Sequence, residues 1–229
     1  MNKMNKLFIV STPIGNLGDI TYRAIDVLKN TKVVFAEDTR RSSKLFFHYG
    51  ITTPLKRYHE HNVDKAIPEV INYLKMGDVA LISDSGTPLV SDPGFKLVRK
   101  IKDLGHPVIS IPGASAVLAS LVVSGLPTDK FSFRGFLPKK SSQIIREMEY
   151  IKDRDETTIY FESPYRINKT LALIMNVLGD NRVICVCREL TKLHEEIFLG
   201  NVAEIKKEFI SRNPKGEYVV LIAKSDYEG

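Results

Sequence analysis

The sequence predicts an α/β protein of two domains, with a mostly parallel sheet in the first domain and a mixed sheet in the second. In the first half, short apolar runs alternate with amphipathic stretches of about 10–15 residues, a pattern typical of βαβ units. Near Gly125–Pro127 a turn-rich segment intervenes, and strands become more frequent after it. The length of 229 residues suits two compact domains. We therefore assign residues 1–124 and 125–229 to separate domains.

The first domain is predicted to contain four buried strands joined by helices. The strands lie at residues 7–10, 32–37, 78–84 and 107–112. The helices lie at residues 20–30, 39–49, 64–76, 92–104 and 114–123. Asp19 or Thr21 is a suitable N-cap for the first helix, and Gly50 follows the second helix, where a left-handed residue is favoured.

The second domain is predicted to contain five strands and three helices. The strands lie at residues 131–138, 157–163, 182–190, 195–200 and 217–223. The helices lie at residues 141–152, 167–178 and 202–211. Only a short connection separates the third and fourth of these strands, so we expect them to pair antiparallel within a mixed sheet.

Composition indicates a globular protein with an excess of basic residues. The net charge is +6 and the pI is about 9.2, which suits a polyanionic partner but does not establish one. No apolar run approaches the ~18 residues that a transmembrane helix requires. The first apolar run, Leu7–Val10, is too short for a secretory signal, so we expect a cytoplasmic location.

The two cysteines, Cys185 and Cys187, lie two residues apart on a predicted strand. Their side chains should face the same side of that strand, which is poor geometry for a mutual disulfide. No further metal ligand lies nearby at a suitable spacing. We therefore predict two reduced core residues and no metal site.

Several common nucleotide and catalytic motifs are absent from the sequence. It contains neither the G-x-G-x-x-G fingerprint of dinucleotide-binding folds nor a Walker A loop. The G-x-S-x-G motif of the α/β-hydrolases is also missing. These absences argue against a dehydrogenase, a nucleotide triphosphatase and an esterase.

Polar turns rich in glycine and proline follow all four predicted strands of the first domain. They are TPIGNLGD, AEDTRR, SDSGTPLVSDPG and PGASA, at residues 12–19, 36–41, 83–94 and 112–116. Because ligands bind at the carboxyl ends of strands in open α/β sheets, these turns would line one binding edge. Strand-to-helix turns often carry such residues for structural reasons, but a twelve-residue loop is longer than these connections usually are.

The residue types in these turns suit a zwitterionic ligand that carries a ribose and an adenine. Glycine at positions 86 and 113 allows the backbone to approach a ligand closely. Side chains suited to such a ligand are the hydroxyls of Ser85 and Thr87, the carboxylates of Asp84 and Asp92, and the small Ala114 and Ala116. Composition alone does not identify the ligand.

Eight segments of the chain together match the pattern of one known family. They are TPIGNLGDIT, AEDTR, LISDSGTPLVSDPG, IPGASA, SGLPTDKFSFRGFLP, YFESPYR, RELTKLHEE and GEYVVLIA. In this order they resemble the bacterial small-subunit (16S) ribosomal RNA cytidine 2′-O-methyltransferases of the tetrapyrrole-methylase (class III) superfamily, over residues 7–223. TPIGNLGD stands where the tetrapyrrole methylases proper carry a glycine-rich loop, which favours the RNA branch.

The resemblance implies that S-adenosyl-L-methionine is bound in a cleft between two α/β domains, and that the protein is a homodimer. It implies methyl transfer to the ribose 2′-hydroxyl of a cytidine in the decoding region of 16S ribosomal RNA, with the assembled small subunit as partner. The cofactor contacts that it implies are Ile14, Asp84, Gly86, Thr87, Val90, Gly113, Ala114, Phe161, Arg188 and Glu217. Tyr165 stands where we expect histidine, which argues against a histidine base there.

Methyl transfer to a ribose hydroxyl benefits from a base within hydrogen-bond reach of that hydroxyl. The catalytic candidates are Glu37, Asp38 and Glu189, with Glu162 and Lys192 as further possibilities. A salt bridge to Arg40 or Arg41 explains Glu37 and Asp38 equally well. The identity of the base therefore stays open at the level of sequence.

Two basic segments are candidates for RNA contact. Residues 130–146 contain five basic residues and no acidic one, interleaved with Phe131, Phe133 and Phe136. Alternation in FSFRGF predicts a half-buried strand with at least two of these phenylalanines in the core, whereas an exposed one could stack on a base. The predicted RNA contacts are Arg40, Arg41, Arg134, Lys139, Lys140 and Arg166. For Arg166 a salt bridge is the alternative, and for His59 and His61 we favour proximity to phosphate over a metal pair.

Two other functions remain open. A methyltransferase of the same superfamily that acts on a porphyrin or corrinoid precursor would need a roomy apolar cleft and no basic surface. A ribosome-binding protein that has lost its cofactor would keep the basic surface and would not bind S-adenosylmethionine. Titration with the cofactor separates the second alternative from an enzyme.

Overall fold

A computed structural model describes residues 4–212 and 215–227 of the chain. These residues form two compact α/β units, which divide between Ser115 and Ala116. The boundary predicted after residue 124 assigns the helix at 116–123 to the first domain, whereas in the structure this helix packs on a strand of the second unit. Within the described part of the chain, no helix is long and apolar enough to cross a membrane.

The first unit is a five-stranded parallel sheet with helices between its strands. Its strands are β1 (Leu7–Val10), β2 (Val33–Ala36), β3 (Leu55–Arg57), β4 (Val79–Ile82) and β5 (Val108–Ile111). Its helices are α1 (Tyr22–Asn30), α2 (Thr39–Tyr49), α3 (Val63–Leu74) and α4 (Phe95–Asp103). The strand order is β3-β2-β4-β1-β5, with every pairing parallel. β2 and β4 are buried at every position, as expected for strands covered on both faces.

The strand β3 is the element of the first unit that the sequence does not predict. It has three residues, and two of them are Lys56 and Arg57. It lies at the end of the sheet, where one side of a strand has no partner strand. Because a short polar edge strand lacks an apolar run, hydrophobic patterning alone does not reveal it.

The ends of the helices in the first unit follow local capping rules. Thr21 caps α1 by accepting a hydrogen bond from the Ala24 amide at 3.1 Å. Gly50 ends α2 in the left-handed conformation, with φ of 59°. α4 begins at Phe95 rather than at the predicted residue 92, because Gly94 has a φ of 143°, which is not helical. The loop that precedes it therefore spans residues 83–94.

The second unit is a mixed five-stranded sheet with four helices. Its strands are β6 (Phe131–Phe136), β7 (Thr157–Glu162), β8 (Val183–Arg188), β9 (Glu196–Asn201) and β10 (Tyr218–Ile222). Its helices are α5 (Ala116–Val123), α6 (Ser141–Ile151), α7 (Ile167–Leu178) and α8 (Val202–Ile210). The order is β6-β7-β10-β8-β9, in which only β6 and β7 are parallel. The predicted antiparallel pairing of β8 with β9 is confirmed.

The core of the second unit lies between its sheet and the helices α6, α7 and α8. Fully buried side chains at its centre include Met148, Tyr160 and Phe209. Cys185 and Cys187 are buried, with their sulfur atoms 3.8 Å apart, so the prediction that both lie in the core is confirmed.

Candidate functional site

Four polar loops follow the strands of the first unit at the carboxyl edge of its sheet. They follow β1, β2, β4 and β5, at residues 11–21, 37–38, 83–94 and 112–115. Because β2, β4, β1 and β5 are successive neighbours in the sheet, the four loops lie side by side. This edge is where open α/β sheets bind their ligands.

Hydrogen bonds join the loops after β1, β4 and β5. Thr12 and Gly86 exchange two backbone hydrogen bonds, at 2.9 Å and 3.1 Å. The Thr87 hydroxyl donates to the Ala114 carbonyl at 3.2 Å and lies 3.1 Å from the Ser11 hydroxyl. The predicted cofactor residues Gly86, Thr87 and Ala114 therefore belong to one connected network.

Two predicted cofactor residues are glycines because the neighbouring chain is close. A β-carbon on Gly86 would lie 3.1 Å from the Ile14 side chain, and Gly86 has a φ of 78°. A β-carbon on Gly113 would lie 3.0 Å from the β-carbon of Ser11. Ile14 itself is buried, so it packs against the loop rather than projecting into solvent. The two glycines thus keep the three loops in close contact.

The loop at residues 83–94 contains strained backbone. Leu89 and Ser91 have φ values of 72° and 64°, in the left-handed region that side chains other than glycine rarely adopt. Such residues cost about 1–3 kcal/mol each and cluster at functional sites. Val90, a predicted cofactor contact, lies between them and is 38% exposed. An exposed apolar side chain therefore lies between two strained residues of this loop.

Three carboxylates, Glu37, Asp84 and Asp92, form an acidic cluster at the ends of β2 and β4. Burial and the neighbouring charge of Glu37 raise the pKa of Asp92 to about 6. Burial and the charge of Asp84 also raise the pKa of Glu37. Asp84 accepts a hydrogen bond from the Asp38 amide at 2.8 Å and lies 3.7 Å from the Arg41 guanidinium. The cluster thus combines one anchored carboxylate with two whose pKa values are raised.

The other two catalytic candidates make structural ion pairs. Asp38 caps α2 and forms hydrogen bonds with the Arg40 guanidinium at 3.0 Å and 2.7 Å, which hold its pKa well below the usual range. Burial alone would raise the pKa of Glu189, but its hydrogen bond from Lys192, at 2.8 Å, lowers it. The structure therefore favours the salt-bridge alternative for Asp38. Among the predicted catalytic residues, Glu37 has a raised pKa, as a general base requires.

A cavity of about 170 Å³ lies beside the acidic cluster, between α2 and the loops after β1 and β4. Two cationic side chains in its wall are Arg41 and Lys44. Hydroxyl groups of Thr12, Ser42 and Ser83 also line it. The wall also contains the Asp84 carboxylate, and the three hydroxyls already donate to backbone carbonyls, so Arg41 and Lys44 are the groups that could contact an anion there.

The predicted cofactor contacts of the second unit lie at the ends of neighbouring strands. Phe161, half-buried near the end of β7, packs against two other phenylalanines. Arg188 forms a 2.6 Å ion pair with Glu196 and donates to the Lys215 carbonyl. Glu217 is exposed and pairs with Lys192 at 2.8 Å. The side chains of Arg188 and Glu217 are therefore already engaged within the second unit.

The predicted RNA contacts fall into two groups. Exposed cations are Arg40, Arg41, Lys139 and Lys140, of which Arg40 also pairs with Asp38. The other two cations make contacts within the second unit. Arg134 pairs with Glu147 and stacks on Tyr150. Arg166 pairs with Glu162 and donates to the carbonyls of Leu137 and Pro138. The structure thus favours the ion-pair alternative for Arg166 and reduces the freedom of Arg134.

The prediction that at least two phenylalanines of FSFRGF belong to the core is wrong. Phe131 and Phe136 are 41% and 61% exposed, and Phe133 is half-buried. β6 is an end strand of the sheet, so its side chains are covered less than those of a central strand. The aromatic residues of β6 are therefore available to a ligand.

Among residues 4–212 and 215–227, no three His, Cys, Asp or Glu side chains are arranged so that they could hold a metal ion. The rings of His59 and His61 lie 6.1 Å apart. Asp92 was predicted only as a ligand contact and not as a base. The length of its loop pointed to it, whereas its burial and its proximity to Glu37 depend on the fold.

Known proteins with similar sequences match this chain over nearly its whole length. A family model for tetrapyrrole (corrin/porphyrin) methylases matches residues 6–206. A Bacillus subtilis protein called ribosomal RNA small subunit methyltransferase I is 42% identical over 98% of this chain and 77% of its own length. Proteins of the same name from Mesorhizobium japonicum and Pseudomonas aeruginosa are each 46% identical, over 96% and 95% of this chain and 76% and 78% of theirs.

Solved structures of similar fold include two methyltransferases. A uroporphyrin-III-C-methyltransferase from Thermus thermophilus aligns with a TM-score of 0.68 at 16% identity, over 96% of this chain and 95% of that one. A cobalt precorrin-4 methyltransferase aligns with a TM-score of 0.71 at 14% identity, over 95% and 94%. Identities this low establish a shared fold only. The family model and the relatives at 42–46% identity establish more: the chain belongs to the tetrapyrrole methylase family, in the branch of the ribosomal RNA small subunit methyltransferase I proteins.

Proposed function

We propose that this protein transfers a methyl group from S-adenosylmethionine to the ribose 2′-hydroxyl of a cytidine in small-subunit ribosomal RNA. The proposal is supported chiefly by the acidic cluster at the carboxyl edge of the first sheet. It is also supported by the 42–46% identity of the chain to proteins named for methylation of small-subunit ribosomal RNA. The test is incorporation of labelled methyl groups into small ribosomal subunits that lack the modification. A tetrapyrrole precursor labelled in place of the RNA would favour the small-molecule alternative.

The loops of the first unit fit the proposed cofactor. S-adenosylmethionine supplies a methyl group attached to a cationic sulfonium, and it also carries an ammonium and a carboxylate. Gly86 is buried and Gly113 is exposed, and at both positions a β-carbon would crowd the neighbouring loop, so the two glycines keep together the loops that would hold the cofactor. The acidic cluster lies beside them and complements the positive charges of the cofactor. The candidate contacts Ile14, Asp84, Thr87, Val90 and Ala114 belong to the same set of loops.

The proposed base is Asp92, with Glu37 as its neighbour. A general base works best when its pKa lies near the operating pH, and the pKa of Asp92 is raised to about 6. Glu37 contributes to that shift through its negative charge. Asp84, anchored by the Asp38 amide, keeps the two loops together. In this scheme Asp92 accepts the proton that the ribose hydroxyl loses, and positioning of that hydroxyl supplies much of the remaining rate.

Replacing Gly86 by alanine is expected to weaken cofactor binding about tenfold or more. The added β-carbon would lie 3.1 Å from the Ile14 side chain, so one of the joined loops must shift. Isothermal titration with S-adenosylmethionine measures the effect. Gly179→Ala is the matched control, because Gly179 also has a positive φ, of 87°, but has open space around it. Equal affinities in the two variants would contradict the placement of the cofactor.

The double substitution Arg40→Gln and Arg41→Gln is expected to weaken RNA binding and to make it less sensitive to salt. Their side chains are 82% and 67% exposed, so phosphates can reach them in competition with Asp38, which pairs with Arg40, and Asp84, which lies 3.7 Å from Arg41. Each phosphate contact that is lost should reduce the slope of log affinity against log salt by about 1. Filter binding of ribosomal RNA across a salt series measures this slope. Lys100→Gln with Lys102→Gln, both exposed on α4, should leave the slope unchanged.

A homodimer that acts on the assembled small subunit is also part of the proposal. The helix α5 is apolar except for the buried Ser120, and Leu118 and Val122 are 53% and 74% exposed. An exposed apolar helix of this kind supports association with another protein surface. Light scattering of the wild type and of Val122→Asp tests the dimer. Comparison of methyl transfer to assembled subunits and to free 16S ribosomal RNA tests the substrate.

A further inference from the structure

An irregularity in β6 places two phenylalanines on the same side of the second sheet. In the pairing of β6 with β7, Phe133 aligns with Ile159 and Phe136 aligns with Phe161, so β6 has one extra residue. Residues three apart in a regular strand face opposite sides. The bulge, with Gly135 at a φ of 73°, brings both rings against Phe161, at centroid distances of 4.8 Å and 5.4 Å. We call these three residues the aromatic trio.

A cavity of about 340 Å³ lies beside the aromatic trio at the free edge of the sheet, and we call it the edge cavity. Its lining residues are Phe133, Arg134, Phe136, Pro138, Glu147 and Tyr160. Phe136 is 61% exposed, so most of its ring is available for contact. An exposed aromatic ring above a cavity of this size can stack on a planar heterocycle.

The polar wall of the edge cavity presents a fixed hydrogen-bond acceptor. The Tyr160 hydroxyl donates to Glu147 Oε1 at 2.9 Å, and the Arg134 Nε group donates to the same oxygen. Among the described residues, no hydrogen bond is made to Glu147 Oε2. Burial alone would raise the pKa of Glu147, but its bonds from Arg134 and Tyr160 lower it. The carboxylate is therefore ionised at neutral pH and can only accept hydrogen bonds.

We propose that the edge cavity binds one unstacked RNA base that carries an exocyclic amine, stacked on Phe136 and donating that amine to Glu147. This proposal rests on the proposed action on RNA and adds a base-binding site to it. Cytosine offers such an amine, and glutamate is a known acceptor for it. Uracil has a carbonyl oxygen at the same position and would be repelled by the carboxylate. The exposed Lys139 and Lys140 follow directly in the chain and suit the phosphates beside the bound base.

The test uses fluorescein-labelled single-stranded oligo(rC) and oligo(rU), with binding measured by anisotropy at low salt. The wild type is expected to prefer oligo(rC) by about tenfold or more. Phe136→Ala is expected to weaken oligo(rC) binding about tenfold, and Phe136→Tyr to restore it, because stacking needs a ring. Glu147→Gln is expected to remove most of the preference for oligo(rC) while oligo(rU) binding is retained or improved. Phe47→Ala, at a 92% exposed phenylalanine of α2, is the control and should change nothing.

Three results would overturn the base-binding site. The first is a wild type with no preference for oligo(rC), and the second is a Phe136→Ala variant that binds like Phe47→Ala. The third is loss of affinity for S-adenosylmethionine in Phe136→Ala with unchanged RNA binding, which would assign the edge cavity to the adenine of the cofactor. Methyl transfer by the wild type to small subunits is measured in parallel. If transfer occurs and the oligonucleotide results fail, only the base-binding site is wrong.

Discussion

Asp92→Asn is expected to slow methyl transfer by about 10²- to 10⁴-fold, the usual contribution of a general base. The substitution preserves the shape of the side chain but removes its capacity to take a proton. Binding of the cofactor should change far less than the rate of transfer. Single-turnover transfer of a labelled methyl group to small subunits measures the rate, and Asp26→Asn, an exposed carboxylate on α1, is the matched control. A rate within threefold of the control would remove Asp92 from the proposed mechanism.

The pH dependence of transfer gives a second test of Asp92. Because the base must be ionised, the rate should fall as the pH drops through about 6. Glu37→Gln removes a negative charge that raises the pKa of Asp92, so the acidic limb of the profile should move to lower pH. If the acidic limb has the same midpoint in Glu37→Gln as in the wild type, the charge of Glu37 does not raise the pKa of Asp92.

The raised pKa of Asp92 also has a consequence for stability. The folded protein binds this proton more tightly than the unfolded chain, in which the pKa is near its ordinary value of 3.8. The associated stabilisation is present below that value and is lost as the pH rises through about 6. Asp92→Asn should therefore be more stable than the wild type at pH 7.5, by about 1–2 kcal/mol, because solvent screens the partly exposed carboxyl and reduces the full value of about 3 kcal/mol. Lower stability of the variant at that pH would contradict the raised pKa.

Glu162→Ala is expected to destabilise the protein by about 3 kcal/mol, since removing one partner of a buried ion pair leaves the other uncompensated. The Glu162 side chain is fully buried at the end of β7. It accepts hydrogen bonds from the Ser163 amide at 2.6 Å and the Thr170 hydroxyl at 2.5 Å, and it pairs with Arg166 at 2.6 Å. Denaturant unfolding followed by circular dichroism measures the loss.

Glu149→Ala is the control for this prediction, because Glu149 is an exposed carboxylate on α6 in the same unit. Its cost should stay below about 0.5 kcal/mol. Glu162→Gln keeps acceptors for two of the three contacts and should fall between the two alanine variants. If Glu162→Ala unfolds like Glu149→Ala, the buried ion pair does not hold this end of β7.

Most secondary structure follows from local patterns in the sequence. The bounds of α2 and α7 agree with the predicted helices, because glycine ends each of them at residues 50 and 179. The start of α4 is shifted because Gly94 has a non-helical φ of 143°, at a position where a β-carbon would lie 2.9 Å from the Leu89 side chain. β3 is missed because a three-residue polar edge strand is stabilised by its neighbour β2 rather than by its own composition.

The candidate site is only partly predictable from sequence. Spacing after the strands identifies the loops and their glycines, since the sheet brings the carboxyl ends of its strands together. The raised pKa values of Glu37 and Asp92 depend on burial and on their proximity across two loops, which one-dimensional spacing does not encode. The position of Phe136 on the same side as Phe133 likewise depends on a bulge in an edge strand, because alternation alone places these two residues on opposite faces.

The most direct test of the proposed function is nucleoside mass spectrometry after a defined reaction. Small ribosomal subunits from cells that lack the modification are incubated with the purified protein and S-adenosylmethionine carrying a labelled methyl group. The 16S ribosomal RNA is then digested to nucleosides and to mapped fragments. We predict one labelled 2′-O-methylcytidine in the decoding region, which disappears when the cofactor is omitted. Absence of label from the RNA, or label on a base instead of a ribose, would contradict the proposed function.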